Sequence, residues 1–563
     1  MVQSMLSRRT FLRGIGVFSA GVAARSVLDS PQNTAVAGNE TLLPSINRAQ
    51  GGLLPFAPIE PTALDNITLP LGYTYQVVIA RGDVFTPDGK TFGDNADWTG
   101  WFPIDWLEDG HSTSEGLLVI NSEYLTALFV SGYEGEGAKT PEQIEAEKGS
   151  VGFSVVHVQR EENGWAVVAD SEFARRFDAT VPIELTGPVA GTDAVNGATS
   201  VTGTLGNCSG GMTLWKTGVS CEENYQLFWG NDKNATSSSY RWVEDGKTDE
   251  IAEHYGWVVE IDPYTGIAKK RTAMGRFHHE NVTMAVGSGG HIVCYMGDDA
   301  QDEVVYKFIS EGVYNPDDRD ANLNLLETGT LYAANFGSGR WVPVVWEGNE
   351  ETLGNPDNVG GYPMASLADV LTYANQSARA LGATPVDRPE DLEIHPLTGD
   401  IYIAFTNNSR HGNYHGQITR IMETDGDHES LTFGWDIFAV GGPQSGFSSP
   451  DNMAFDPKGN LWMVTDISTS SINGGIYEFQ GNNSLFMFPT EGENAGKAFM
   501  FASAPNDAEF TGPTFVGSDT LFLSVQHPGE LTSSLDELTS HWPDGDDSVP
   551  RAGVVAIRGP FGN

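Results

Sequence analysis

Cysteine is scarce in this chain of 563 residues, which has only Cys208, Cys221 and Cys294. At most one disulfide could form, so a disulfide-stapled scaffold is excluded and at least one thiol is left over. Basic residues are also few: Lys and Arg total 31 against 75 Asp and Glu, a formal net charge of −44. A nucleic-acid-binding face needs clustered positive charge to displace phosphate counterions, so nucleic acid is excluded as a partner. Long hydrophobic runs are missing as well. No stretch reaches the roughly 18 apolar residues that a spanning helix requires, and no membrane anchor is expected.

Core material, by contrast, is plentiful. A hydrophobic content of 39%, with 13 Trp, 28 Phe and 17 Tyr, excludes a disordered chain. The 66 glycines suit many short strands joined by tight turns. The acidic excess suits divalent cations, or simply a solvated surface.

The amino terminus reads Ser7-Arg8-Arg9-Thr10-Phe11-Leu12, followed by a mildly apolar run from Gly14 to Ala24 and a small-residue triplet, Ala35-Val36-Ala37. A twin-arginine pair before a short apolar region is an export signal. Residues 1–37 are therefore expected to engage the twin-arginine export machinery and be removed, leaving the protein periplasmic or secreted. That route carries folded passengers, many of them already loaded with a cofactor. Residues 38–69 read as an extended segment and 70–563 as a single β-propeller catalytic domain.

The propeller expectation rests on a recurring theme of short apolar strand, turn and second strand. It appears at Glu260-Ile261-Asp262-Pro263-Tyr264-Thr265-Gly266, at Ile394-His395-Pro396-Leu397-Thr398-Gly399 and at Phe455-Asp456-Pro457-Lys458-Gly459, each followed by another strand. Helical patterning is sparse, with Pro141–Lys148 and Ala365–Leu381 as the best candidates, both read as insertions. The expected fold is all-β: a six-bladed β-propeller with irregular insertions and a few short helices. Loops at one end of the blades converge on a central channel, so polar residues far apart in sequence can meet there.

Several segments carry chemistry. In Asn207-Cys208-Ser209-Gly210-Gly211 a thiol sits among glycines, which let it approach a metal closely, although a plain buried cysteine fits equally. In Cys221-Glu222-Glu223 two adjacent carboxylates on a strand point to opposite faces, so only one can look inward. Cys208 and Cys221 do not have zinc-ribbon spacing. The His278-His279-Glu280 cluster, Asp298-Asp299, Arg388-Pro389-Glu390-Asp391, Pro450-Asp451-Asn452, Asp466, Glu509 and Gln526-His527 all fall at strand ends. Ca²⁺ accepts about six to eight oxygens in irregular geometry, which dispersed carboxylates supply better than they would serve zinc. No EF-hand loop, Gly-x-Ser-x-Gly elbow or phosphate-binding Gly-Lys loop is evident.

Together these segments resemble the PhoX-type bacterial alkaline phosphatases. The likeness is carried by the twin-arginine start, Pro70-Leu71-Gly72-Tyr73, the Cys208 and Glu222-Glu223 segments, and Tyr255-Gly256-Trp257. It continues through Gly275-Arg276-Phe277 with His279-Glu280, Tyr295-Met296-Gly297-Asp298-Asp299, Arg388-Pro389-Glu390-Asp391, Pro450-Asp451-Asn452 and Val525-Gln526-His527-Pro528-Gly529, covering nearly the whole mature chain. The resemblance implies a channel holding Ca²⁺ and Fe³⁺ that hydrolyses phosphate monoesters, with a metal-bound oxo or hydroxide group as nucleophile. It implies Cys208 as an iron ligand, Glu223, Glu280, Glu390, Asp451 and Glu509 as further metal ligands, and Arg388 as the catalytic clamp on the phosphoryl oxygens. Asn121, in Val119-Ile120-Asn121-Ser122-Glu123, is expected to join Arg388 in binding substrate. Two departures bear on the pocket: Lys216 and Gly218 stand where the family usually has Gly and Trp, and Ser122 where a His is usual. The alternatives are a calcium-dependent lactonase-type propeller, for which Asp451, Asn452 and Asp466 would suffice, and a non-catalytic secreted propeller. A monomer is expected.

Overall fold

The Asp-Pro and His-Pro segments fold as tight turns between consecutive strands. The Asp262 carboxylate accepts hydrogen bonds from the Tyr264 and Thr265 amides, His395 Nδ1 from those of Leu397 and Thr398, and Asp456 from those of Lys458 and Asn460. Each turn closes on a left-handed glycine, Gly266, Gly399 or Gly459, at φ between 76° and 82°. Local side-chain capping of this kind reverses the chain and sets up antiparallel pairing.

A computed structural model describes residues 54–230, 240, 242 and 250–561. It is a six-bladed β-propeller. The innermost strands of successive blades are Ala96–Pro103, Asn207–Met212, Thr283–Val286, Pro389–Ile394, Pro450–Phe455 and Glu509–Val516. Neighbouring innermost strands lie side by side around a central channel. The outermost strand of blade 6 is Thr74–Ala80, from the other end of the chain. It pairs antiparallel with Gly553–Arg558 and so locks the ring. Ahead of it, residues 54–69 run along blade 5, where the Ile59 amide donates to the Met500 carbonyl and Thr68 bridges Ser503.

Successive side chains of a strand point to opposite faces, and here both faces are covered by neighbouring blades. Leu118 and Ile120 pack with Phe522 and Val554 of blade 6, whereas Leu117 and Val119 pack with Val259 and Ile261 of blade 2. Burying each such side chain is worth roughly 1.5–3 kcal/mol, which explains why these strands read as continuous apolar runs. Cys221 and Cys294 belong to the apolar layer between blades 2 and 3, and all three cysteines are free.

Helices are few and short. Pro141–Ser150 starts from a capping box in which Thr140 and Gln143 exchange side-chain-to-backbone hydrogen bonds. The second expected helix forms as two, Leu367–Thr372 and Ala374–Ala380, separated at Tyr373, whose ψ of 51° is not helical. Among the described residues no helix is long and apolar enough to cross a membrane.

Candidate metal centre and active site

The meander topology decides which residues share the channel mouth. Each innermost strand starts at the mouth, and the strand after it ends there. One group that could ligate a metal comes from at or just before the start of each innermost strand: Asp97, Cys208, Glu280, Glu390, Asp451 and Glu509. A second set comes from just beyond the next strand in the blade: Glu123, Glu223, Asp299, Asp466 and His527. Together they line a cavity of about 240 Å³ that holds ten carboxylates and the Cys208 thiol, with Arg388 and His527 as its cations.

The donor atoms fall into three linked groups, within each of which they lie no more than 4.8 Å apart: Asp97, Glu123 and Cys208; Cys208, Glu223 and Glu280; and Glu280, Glu390 and Asp451. Cys208 joins the first two groups, with Sγ 3.7 Å from Asp97 and 3.4 Å from Glu280, and Glu280 joins the last two. Glu509 stands apart beside His527, 3.3 Å away.

Burial comes first in pushing these groups toward their neutral forms, and like charge adds to it. Asp97 is raised well above the usual carboxylate range, with Glu123 and Glu509 reinforcing burial. Glu223, Glu280 and Asp451 are raised by burial and by neighbouring carboxylates, and the Cys208 thiol by burial and then by Asp97. Glu390 is raised by burial even though Arg388 opposes the shift, and Glu509 is pushed up to about 8 by burial and then by Asp466. Burial disfavours a charge on His527, yet Glu530 and Glu509 lift it to about 10. So many close carboxylates cannot all stay ionised without cations.

The residues present fit a metal cluster. Asp97 Oδ1, Glu280 Oε2 and Glu509 Oε2 are buried with no hydrogen-bond partner, and lone pairs of this kind are what a hard cation takes up. The donor set mixes many carboxylates with one thiol, so it offers both hard and soft ligation.

Arg388 reaches across the acidic wall. It occupies a left-handed backbone conformation, φ 53°, uncommon for a residue with a Cβ and often found at functional sites. Its Nε and Nη2 grip Asp299 at 2.9 and 2.7 Å, and Nη2 also meets Glu390 at 2.7 Å. Nη1 reaches Asp466 at 3.3 Å. Burial opposes its charge, but Asp299, Glu390 and Asp466 together raise its pKa above the ordinary value.

The alternation expected at Glu222-Glu223 holds. Glu222 turns away to Lys270, 2.7 Å off, and to the Gly256 and Trp257 amides, while Glu223 lines the cavity. Asn121 corrects an expectation. It is fully buried, its Nδ2 donates to the Cys208 and Ser209 carbonyls at 2.7 and 2.8 Å, and its Oδ1 accepts from Ser220. Its amide is committed to these partners and it does not line the cavity. It holds the Cys208 strand in place instead. The glycines after Cys208 also admit neighbouring strands. A Cβ on Gly211 would meet the Val282 carbonyl at 1.9 Å, and one on Gly210 would meet Trp98. Neither His278 nor His279 lines the cavity; His279 stacks on Phe277 and burial lowers its pKa to about 3.

Sequence reasoning passed over Asp97 and Glu123 as site residues and noted Asp299, Asp466 and His527 only as strand-end groups, Asp466 within the lactonase alternative. Asp97 had a usable signal, since it opens a buried strand just as Asp451 and Glu390 do. Glu123, Asp299 and His527 lay inside motifs already noted, but their inward direction is set by blade geometry.

Propeller and site together define a metal-dependent hydrolase with an anionic, cation-hungry channel mouth. The family described as alkaline phosphatase PhoX matches over residues 54–529, and the chain belongs to it. It is a metal-dependent phosphatase. Among solved structures, Pseudomonas fluorescens PhoX in complex with vanadate, a transition state analogue, is 29% identical, with a TM-score of 0.79 over 91% of this chain and 99% of that one. A Dyadobacter fermentans protein of unknown function aligns at 10% identity over 88% of this chain and 100% of its own, with a TM-score of 0.39 that carries no argument. No curated protein matches the sequence. Family membership sets aside the lactonase and non-catalytic alternatives.

Proposed function

We propose that the channel mouth holds Ca²⁺ and Fe³⁺ and hydrolyses phosphate monoesters, with Cys208, Glu223, Glu280, Glu390, Asp451 and Glu509 as ligands and Asp97 and Glu123 completing the shell. The observation that carries this reading is the run of three donor groups joined through Cys208 and Glu280, with only Arg388 and His527 to offset their charge. The similar Pseudomonas fluorescens protein binds vanadate, described as a transition state analogue, which supports a phosphoryl-transfer role for the same mouth. When bound, the cations supply concentrated positive charge for the phosphoryl oxygens.

The rest is done by this chain's own side chains. Arg388 offers a planar fork suited to two phosphoryl oxygens, and Asp299, Glu390 and Asp466 hold that fork in the cavity. His527 donates Nδ1–H to the Asp507 carbonyl, 2.7 Å away, and keeps a proton on Nε2 toward the cavity as a second positive charge. The substrate is a small phosphate monoester and the protein acts as a monomer. Residues 1–37, which lie outside the described residues, are proposed as the twin-arginine signal, giving a periplasmic or secreted enzyme.

The test is hydrolysis of a chromogenic phosphomonoester by the purified protein, with iron and calcium measured on the same sample. Chelation is expected to abolish turnover and Ca²⁺ to restore it. Cys208→Ala is expected to lose both iron and turnover while retaining the β-sheet circular dichroism of the parent. An iron-loaded, active Cys208→Ala protein would overturn the assignment.

A further inference from the structure

Deeper in the channel lies a second cavity of about 260 Å³ that the catalytic reading does not use. Two acidic residues of one innermost strand line it, Asp391 and Glu393, which share a face because they are two positions apart. Asn452 separates the two chambers. Its Nδ2 donates to Glu280 and Asp451 of the upper site, its Oδ1 accepts from the Gly512 amide, and the residue itself lines the lower cavity. Ser209 and Thr99, from blades 2 and 1, also line it.

Asp391 carries the argument. It is 3% exposed, its Oδ2 accepts from the Met453 amide at 2.6 Å, and its Oδ1 is buried with no partner at all. Five buried carboxylates away from the channel come with a cation: Glu147 with Lys139, Glu222 with Lys270, Glu260 with Arg271, Glu423 with Lys307 and Asp94 with Arg81. Among the described residues no Lys, Arg or His lines the lower cavity. An ionised carboxylate with a free lone pair, buried beside a second carboxylate in a chamber lined by no positive side chain, is costly unless it takes up a proton or a cation.

We propose that this lower chamber is a separate Ca²⁺ site, with Asp391 and Glu393 as its anionic ligands. The lining supplies carboxylate and amide groups and no Cys or His, a donor set that selects a hard cation of flexible coordination over iron or zinc. An ion here draws together strands of blades 1, 2, 4 and 5 below the reaction site, so its role is to hold the channel rather than to touch substrate.

Trp98 lines the same chamber and supplies a spectroscopic handle, because an indole close to bound Tb³⁺ sensitises its emission. Protein purified with its upper metals in place is titrated with Tb³⁺, and calcium and iron are counted per chain in parent, Asp391→Asn and Glu393→Gln proteins. The expected result is loss of one calcium per chain with iron unchanged in either variant, loss of the Tb³⁺ emission, and an anomalous-scattering peak between Asp391 and Glu393 in Tb³⁺-soaked parent crystals. Glu393 is only half-buried, so its variant serves if Asp391→Asn does not fold. Equal calcium content in parent and Glu393→Gln proteins, with no peak in the lower chamber, would overturn the proposal. Because iron content and turnover report on the upper site separately, failure here is distinguishable from failure of the phosphatase metal assignment.

Discussion

Protons and metal ions compete for the same lone pairs at the channel mouth. Without metal, Glu509 titrates near 8, so at pH 7 it holds a proton that a cation must displace. Ca²⁺ binding at pH 7 is therefore expected to release protons, and the apparent affinity is expected to rise with pH until Glu509 is ionised, above about 8. Calorimetry in two buffers of different ionisation enthalpy measures this release, and no buffer dependence at pH 7 would contradict it. Arg388 makes a second residue-scale prediction. Lysine keeps the charge but loses the fork that spans Asp299 and Glu390 and would span a phosphoryl group, so Arg388→Lys is expected to lower kcat/KM by about 100-fold. Steady-state kinetics on metal-loaded protein provide the check. The residue types of this site were legible in the sequence: a thiol among glycines and carboxylates at strand ends. The second use of Asn121 was not, since nothing local indicates that its amide is spent on the Cys208 and Ser209 carbonyls.

Strands and turns repeat one design, and buried ion pairs join the blades. Lys307 of blade 3 meets Glu423 of blade 4 at 2.9 Å in an apolar setting, where Tyr295 and Trp341 also donate to the carboxylate. Removing one member of such a pair leaves the other charge uncompensated. Lys307→Met is expected to destabilise the fold by about 3 kcal/mol, measured by urea unfolding, with activity of the folded fraction retained. At this scale the sequence was informative about turns, because Asp262 and Asp456 cap theirs within a few residues. It also indicated the Pro141 helix, whose capping box is local. The break at Tyr373 was hidden: Ala365–Leu381 reads as continuous, and it divides at a residue tied to a distant segment, the Tyr373 hydroxyl donating to Glu253 at 3.0 Å.

The ring is held shut by one strand from the far end of the chain. Thr74–Ala80 covers the open edge of Gly553–Arg558, and an uncovered edge strand is a template for aggregation. A chain lacking residues 54–80 is expected to lose cooperative thermal unfolding and to form soluble aggregates, while the parent elutes as a single species. Size-exclusion chromatography with differential scanning calorimetry decides this. A cooperative, monodisperse truncated protein would show that the closure is dispensable. The −44 net charge is not spread evenly in its consequences, since ten carboxylates gather in one cavity at the channel mouth.

Alternating or continuous apolar strands, capped turns and the inventory of ligating side chains were determined by the sequence alone, because each depends on neighbours only a few residues away. Which of those side chains meet was decided by the tertiary structure. Cys208 lies against Asp97 and Glu280, residues 111 and 72 positions distant, because all three open innermost strands of one closed ring. Glu223 faces the cavity and Glu222 does not, because Lys270 of the same blade stands on the side away from the cavity and takes up Glu222. Ring closure turns strand ends that are remote along the chain into a single shell of donors, a relation that local sequence cannot encode.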